Sequence, residues 1–249
     1  MSGQPTELTQ DTLLAGRVRL SQPAAGYRVA IDPVFLAAAV PAGGGDVVLD
    51  VGTGVGAAAL CLAWRVGGCR VTGLESQAAM ARLAMANVEA NQLQDRIVIL
   101  IGDLLRPPPR LSPASFDHVM ANPPHLSGAT ATPPPDPGKA ASNVEGEAKL
   151  ADWVKFCLTM AKPQGCVTLV HRADRLDQLL VDLRGQAGEI IVFPLWPGGA
   201  RPAIRVLVRA RKGSAAPTRL AAGLVLHEVD GSYSAAAQAV LRDGAALAL

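Results

Sequence analysis

Aromatic residues are scarce, at 4% of 249 positions. The hydrophobic share is nonetheless 49% and falls mainly on Ala, Val and Leu. That mix suits helices packed on a buried sheet and argues against a β-sandwich. Cysteine is limited to Cys61, Cys69, Cys157 and Cys166, no two of them in a CxxC pair. Thiol pairs for zinc or redox chemistry are thereby excluded, and all four read as small buried hydrophobes of a reducing compartment. Long apolar runs are missing too: no 18-residue uncharged apolar stretch is available for a membrane helix. The opening MSGQPTELTQDTLL carries acids and lacks an apolar stretch, so a signal peptide is not expected and a cytoplasmic location is. No His or Cys pair stands at ligand spacing, so no metal site is expected. No Ser sits in a G-x-S-x-G frame, which removes the α/β-hydrolases.

One absence is local. No acidic residue lies between Ile190 and His227, a stretch holding Arg201, Arg205, Arg209, Arg211, Lys212 and Arg219. The whole chain carries only +2, so the remainder is slightly acidic. Arg205, Arg209 and Arg211 share one face of a strand pattern with Leu207. Two readings stay open for them: a solvated edge, or a surface for phosphates. Trp196, just before, can stack on a base or simply pack.

What is present is a regular alternation. After a polar, frayed start (1–12), a short strand at 17–20 is expected to pair with 26–31. Asp32, as N-cap, and Pro33 open a helix over VFLAAAV. Strands then follow at 46–51, 69–75, 96–102, 116–122, 165–171, 189–195 and 203–212. Helical patterns separate most of them, one starting at Ser76 as N-cap and others at 147–161 and 173–185. The pattern predicts an α/β fold: a Rossmann-like, seven-stranded, mostly parallel sheet with helices on both faces. The length suits one main domain, 41–249, behind a short extension, 1–40, of a strand pair and a helix. Residues 126–146 form an aperiodic loop long enough to suggest function, following a strand's carboxyl end.

Three places carry chemistry. Asp50-Val51-Gly52-Thr53-Gly54-Val55-Gly56 lies at the first strand-to-helix turn of the alternation. Its glycines permit a sharp turn and close approach of a ligand to backbone N–H groups at a helix start. Glu75 ends the next strand, where an acid accepts ribose hydroxyls. With Ala57 the same letters also fit G-x-G-x-x-A, so the loop does not by itself separate nicotinamide from other nucleosides. Asp50 opposes a dinucleotide's pyrophosphate and suits a ligand with a cationic amino-acid end. Asp103, ending the third strand, is placed to accept from an adenine amine or to serve as a turn residue. Finally, Asn122-Pro123-Pro124-His125 closes the fourth strand. Two prolines stop a central strand and stiffen the turn. The Asn122 amide oxygen and the Pro123 carbonyl can together accept both hydrogens of a planar amine and orient its lone pair, with His125 as a stacking ring.

These segments, with GYRVAIDPVFLAAAV (26–40), LES (74–76) and GDLL (102–105), resemble the class I S-adenosylmethionine-dependent methyltransferases. The likeness covers roughly residues 12–212 and is closest to the amino-methylating group with an Asn-Pro-Pro-aromatic motif. Within it the chain resembles the tRNA adenine-N6 methyltransferases acting on valine tRNA beside the anticodon. The resemblance implies a last strand running antiparallel and S-adenosylmethionine as cofactor. Asp50, Gly52, Gly54, Gly56, Glu75, Asp103 and Asn122 would then hold the cofactor. Asn122, Pro123, Pro124 and His125 would form the catalytic turn. Asp32, Trp196, Arg205, Arg209, Arg211 and Lys212 would face a tRNA substrate. His125 departs from the usual Tyr, Phe or Trp by its smaller ring, which titrates near pH 6.5. Competing readings are an N-methyltransferase on a protein glutamine or small amine, and a non-catalytic RNA- or nucleoside-binding module. Glutamine enzymes of this type carry a larger helical N-terminal domain, whereas only about 45 residues precede the first sheet strand here. A nicotinamide oxidoreductase is opposed by Asp50 and the Asn-Pro-Pro turn.

Overall fold

A computed structural model describes residues 7–25, 28–124 and 147–249. His125 and the expected functional loop at 126–146 lie outside the described residues.

The chain opens with a hairpin, β1 (Leu8–Leu13) and β2 (Val18–Pro23), antiparallel with Leu13 opposite Val18. This corrects two expectations. Residues 8–12 are strand rather than frayed, and 11–13, not 28–31, lie opposite 18–20; residues 26 and 27 lie outside the described residues. Polarity concealed β1: only alternate residues touch the body, and its order comes from backbone pairing. The hairpin rests on α3 (Ala78–Ala90) through Asn87 within the helix and Asn91 at its C-cap. Asn87 accepts from the Ser21 N–H and donates to the Ser21 carbonyl, and Asn91 repeats both contacts with Arg19. These amides satisfy edge groups that a further strand would otherwise pair.

The main sheet comprises β3 (Val47–Val51), β4 (Arg70–Glu75), β5 (Ile97–Ile101), β6 (Phe116–Ala121), β7 (Ala161–Arg172), β8 (Ala187–Trp196) and β9 (Arg205–Lys212). Two short strands, β10 (Arg219–Leu220) and β11 (Leu224–Val225), extend it along β8. The spatial order is β10-β8-β9-β7-β6-β3-β4-β5. From β7 to β5 every neighbour is parallel, while β9 is antiparallel between β7 and β8. The seven-stranded reading and the reversed last strand therefore hold, with the β10 and β11 edge added.

Residues alternate between two apolar layers, as the two-residue period of a strand requires. Val48, Val71, Met120 and Leu207 join one layer with Leu36 of α1 (Asp32–Ala39), Leu60 of α2 (Ala57–Arg65), Ala84 of α3 and Val240 of α6 (Ala235–Leu241). Leu49, Leu74, Val119 and Val208 face the other, with Val154 of α4 (Leu150–Met160) and Leu179 of α5 (Leu176–Leu183). Both faces are covered, which explains a continuous apolar strand such as β7. All four cysteines are buried and free, as expected. Asp32 is the first residue of α1 and Ile31 its cap, while α3 is preceded by Gln77 rather than Ser76. In both places the polar side chain is not the cap that its position suggested.

Candidate cofactor and acceptor site

Strand order reverses at β3, which has β4 on one side and β6 on the other. Open parallel sheets bind ligands at such a switch, outside the carboxyl ends of the strands. The Gly-rich loop and the Asn-Pro-Pro turn leave β3 and β6 at this point.

Gly52 and Gly54 hold φ of +69° and +58°, a region that disfavours side chains. A Cβ on Gly52 would also lie 2.5 Å from the Trp153 ring of α4. The Gly52 and Thr53 N–H groups both donate to the Leu74 carbonyl, at 2.8 and 3.0 Å, which ties the loop to β4. Asn87 donates to the Val55 carbonyl, so the same side chain that holds the hairpin also braces the loop.

Asp50 is 2% exposed and accepts a 2.6 Å bond from the Thr53 hydroxyl. Burial pushes its carboxyl up to about 7, Thr53 and the Ala59 N–H oppose the rise, and the nearby Glu75 charge adds to it. Glu75 is also buried. Its Oε2 accepts from the Gly54 N–H at 2.9 Å and its Oε1 from the Gln77 N–H at 2.8 Å. One backbone bond to each oxygen leaves further lone pairs on both. Asp103 sits in a tight turn: Oδ1 accepts from the Leu105 N–H, and Oδ2 faces Arg106 at 3.5 Å.

These groups line a cleft with two chambers. One, ≈ 170 Å³, is walled by Asp50, Thr53, Gly54, Glu75, Asn122 and Pro123. The other, ≈ 190 Å³, is walled by Gly102, Asp103, Leu104, Leu105 and Glu147. Gly52, Ser76, Pro124 and Trp153 border both and form the neck. Gln22 and Val29 add an N-terminal wall to the first chamber, held by a bond from the Val29 N–H to the Gln22 amide oxygen. The Asn122 Oδ1 is buried and has no hydrogen-bond partner among the described residues.

The residues proposed to face a substrate divide between two edges of the sheet. Arg205 pairs with Arg172 at the end of β7, and Trp196 ends the neighbouring β8, so both stand at the carboxyl edge with the cleft. The Arg205 guanidinium bonds Asp32 at 2.9 Å, and the Trp196 indole donates to the Ala222 carbonyl. Arg211 lies opposite Cys166 near the start of β7. Six residues of strand put it roughly 20 Å from Arg205. There Arg211 bonds Glu189 at 2.6 Å, and Lys212 donates to the Ala161 carbonyl. Arg209, between them, donates to the Leu249 carbonyl at 3.4 Å. Spacing on one strand placed these residues on one face but could not place them at one end. Asn87 and Trp153 escaped the sequence reading, and Thr53 and Ser76 were given no site role there. Thr53 lay within the quoted motif, whereas nothing in the helical pattern of 147–161 distinguishes Trp153. Among the described residues no His, Cys, Asp and Glu cluster suits a metal, and no helix is long and apolar enough to cross a membrane.

Fold and cleft define a Rossmann-like domain with its ligand site at the switch in strand order. The family described as Methyltransferase domain matches residues 48–140. Similar proteins include the tRNA1(Val) (adenine(37)-N6)-methyltransferase of Porphyromonas gingivalis (ATCC 33277), 33% identical over 169 residues. That alignment covers 66% of this chain and 66% of the relative, just under two thirds of its length. The protein of the same name from Aeromonas hydrophila is 27% identical over 210 residues, covering 83% of this chain and 85% of that one. Among solved structures, a predicted O-methyltransferase from Agrobacterium tumefaciens superposes with a TM-score of 0.73 at 24% identity, over 88% of this chain and 99% of that one. The chain is thus similar to methyltransferases over much of its length and shares the fold of one solved structure so named.

Proposed function

We propose that this protein transfers a methyl group from S-adenosylmethionine to the exocyclic N6 of an adenine in tRNA, in the cytoplasm. One observation carries the reading: a buried Asn122 Oδ1 without a partner among the described residues at the cleft, next to two prolines. A buried acceptor left unsatisfied costs about 1–3 kcal/mol, so its persistence calls for a donor that arrives with the substrate. A planar exocyclic amine is such a donor. The relatives' names supply the choice of adenine in tRNA.

The residues present fit the cofactor. Asp50 is a buried acid suited to the cationic amino end. Glu75 retains acceptor sites for ribose hydroxyls, and the Asp103 turn lies in the second chamber, where adenine fits. When bound, S-adenosylmethionine supplies a methyl group made electrophilic by its positive sulfur. This chain's own work is positioning. Asn122 Oδ1 and the Pro123 carbonyl accept the two amino hydrogens, hold the lone pair in line, and stabilise positive charge as it grows on nitrogen. Pro124 stiffens that turn, and His125, next in sequence, is the residue assigned to stack on the base. The adenine must leave its stack to enter. At the mouth, Trp196, the Arg205–Asp32 pair and exposed Arg201 on the β8–β9 connection face the tRNA.

Tritiated S-adenosylmethionine with total tRNA, followed by nucleoside analysis, tests the reading. Label in N6-methyladenosine is expected. Label confined to protein glutamine or a small amine, or none at all, would overturn it.

A further inference from the structure

We infer that Trp153 is the aromatic wall against which the cofactor's positive sulfur is held, so that this residue favours the charged methyl donor over the neutral product. The inference rests on the placement of the cofactor in the two-chambered cleft.

Neither chamber is large enough alone. At ≈ 170 and ≈ 190 Å³, each falls short of the roughly 300 Å³ at which small-molecule pockets begin. A ligand using both Asp50 and Asp103 must therefore run through the neck. Its amino end belongs with Asp50 in the first chamber and its base with Asp103 in the second. Its centre, the sulfur, falls between them, among Gly52, Ser76, Pro124 and Trp153. The reacting methyl must also face Asn122, which borders the first chamber beside Pro124. Both demands bring the sulfur to the neck.

Trp153 dominates that neck. Its six-membered ring lies so close to Gly52 that a Cβ there would meet Cη2 at 2.5 Å and Cζ3 at 2.9 Å. The indole Nε1 is buried and has no partner among the described residues. The neighbouring neck residues are small or apolar: Gly52, Pro124 and one Ser. A cation held over a face of the Trp153 ring is attracted by its quadrupole. Asp50 and Glu75 respond to the ends of the ligand, which the methyl donor and its demethylated product share. A group at the neck stands nearest to the charge on sulfur that distinguishes them.

Calorimetric affinities of S-adenosylmethionine and S-adenosylhomocysteine for the wild type, Trp153→Phe and Trp153→Leu test this, alongside indole fluorescence. Trp153→Leu is expected to weaken S-adenosylmethionine roughly 2- to 30-fold more than S-adenosylhomocysteine, the range of a cation on an aromatic face. Trp153→Phe, which keeps a ring, is expected to fall between, and serves alone if the Leu variant melts early. Quenching of indole emission on binding should disappear in both variants, because Trp64 lies under Arg17 and Trp196 is bonded to Ala222, outside the neck. Equal weakening of the two ligands, or quenching that survives in Trp153→Phe, would overturn the inference. A wild type that binds neither ligand would instead remove the placement of the cofactor, and the inference with it.

Discussion

Asn122 and Asp50 show how much single side chains decide at this cleft. Asn122 is the buried acceptor left waiting, and its loss should act on turnover rather than on cofactor binding. Asn122→Ala is expected to lower single-turnover methyl transfer on the order of 10²-fold or more, as removal of one oriented polar group from a reacting centre does. S-adenosylhomocysteine affinity should change little, which calorimetry on the same sample checks. Asp50 makes a prediction in pH. Its carboxyl is raised from 3.8 to about 7 by burial, so between those values the folded protein binds a proton that the unfolded chain has lost. The stability this proton contributes is complete below about pH 4 and disappears as pH rises through about 7. Three units correspond to at most roughly 4 kcal/mol. Asp50→Asn keeps an acceptor for Thr53 and removes the proton. Denaturant midpoints of wild type minus variant should therefore fall from pH 5 to pH 8. A difference that is flat with pH would reject a buried, titrating Asp50. A cationic ligand demands the ionised acid, so wild-type affinity for S-adenosylmethionine should rise over the same window, with proton release visible in buffers of different ionisation enthalpy.

Helix α3 works as a strap between two otherwise separate elements. Asn87 is 1% exposed and reaches the β2 backbone at Ser21 and the glycine loop at Val55. Truncation strands two carbonyls and one N–H in a dry setting. Asn87→Ala is expected to cost about 3 kcal/mol and to lower the melting temperature by roughly 6–12 °C. Asn91→Ala, on the more exposed turn, should cost less because water replaces the lost bonds. Hydrogen exchange should show the loss shared by β2 and the loop at Val55 in Asn87→Ala. Faster exchange in β2 alone would mean that the hairpin and the loop are independent.

At the scale of the molecule, the sheet sorts charge by edge. The acid-free segment spans it from Trp196 and Arg205 beside the cleft to Arg211 and Lys212 at the far end. Arg211 is already neutralised by Glu189, which holds that carboxylate below its ordinary range. Arg211→Ala with Lys212→Ala should therefore leave the salt dependence of tRNA binding unchanged. Arg201→Ala, at the exposed turn by the cleft, should reduce its slope by about 0.7–0.9 for one lost phosphate contact. Filter binding across a salt series separates the two. If the far-edge pair reduces the slope instead, tRNA lies along the strand rather than over the cleft.

Residue order by itself determined the alternation of strand and helix, because both the two-residue period and the glycine or proline punctuation are local. It also determined the loop at 50–56 and the turn at 122–124, where backbone chemistry demands Gly and Pro regardless of surroundings. Tertiary structure decided the rest. The polar β1 became a strand because Val18–Pro23 and, through it, Asn87 of α3 and Asn91 at its C-cap supplied partners far along the chain. The arginines of β9 lost their unity because a strand's two ends open on opposite sides of a sheet. Trp153 entered the site because α4 crosses the sheet exactly where Gly52 leaves room for a ring, and no pattern within residues 150–160 records what lies across from it. Contacts between distant segments carry no local period, so they become legible only once the chain has closed on itself.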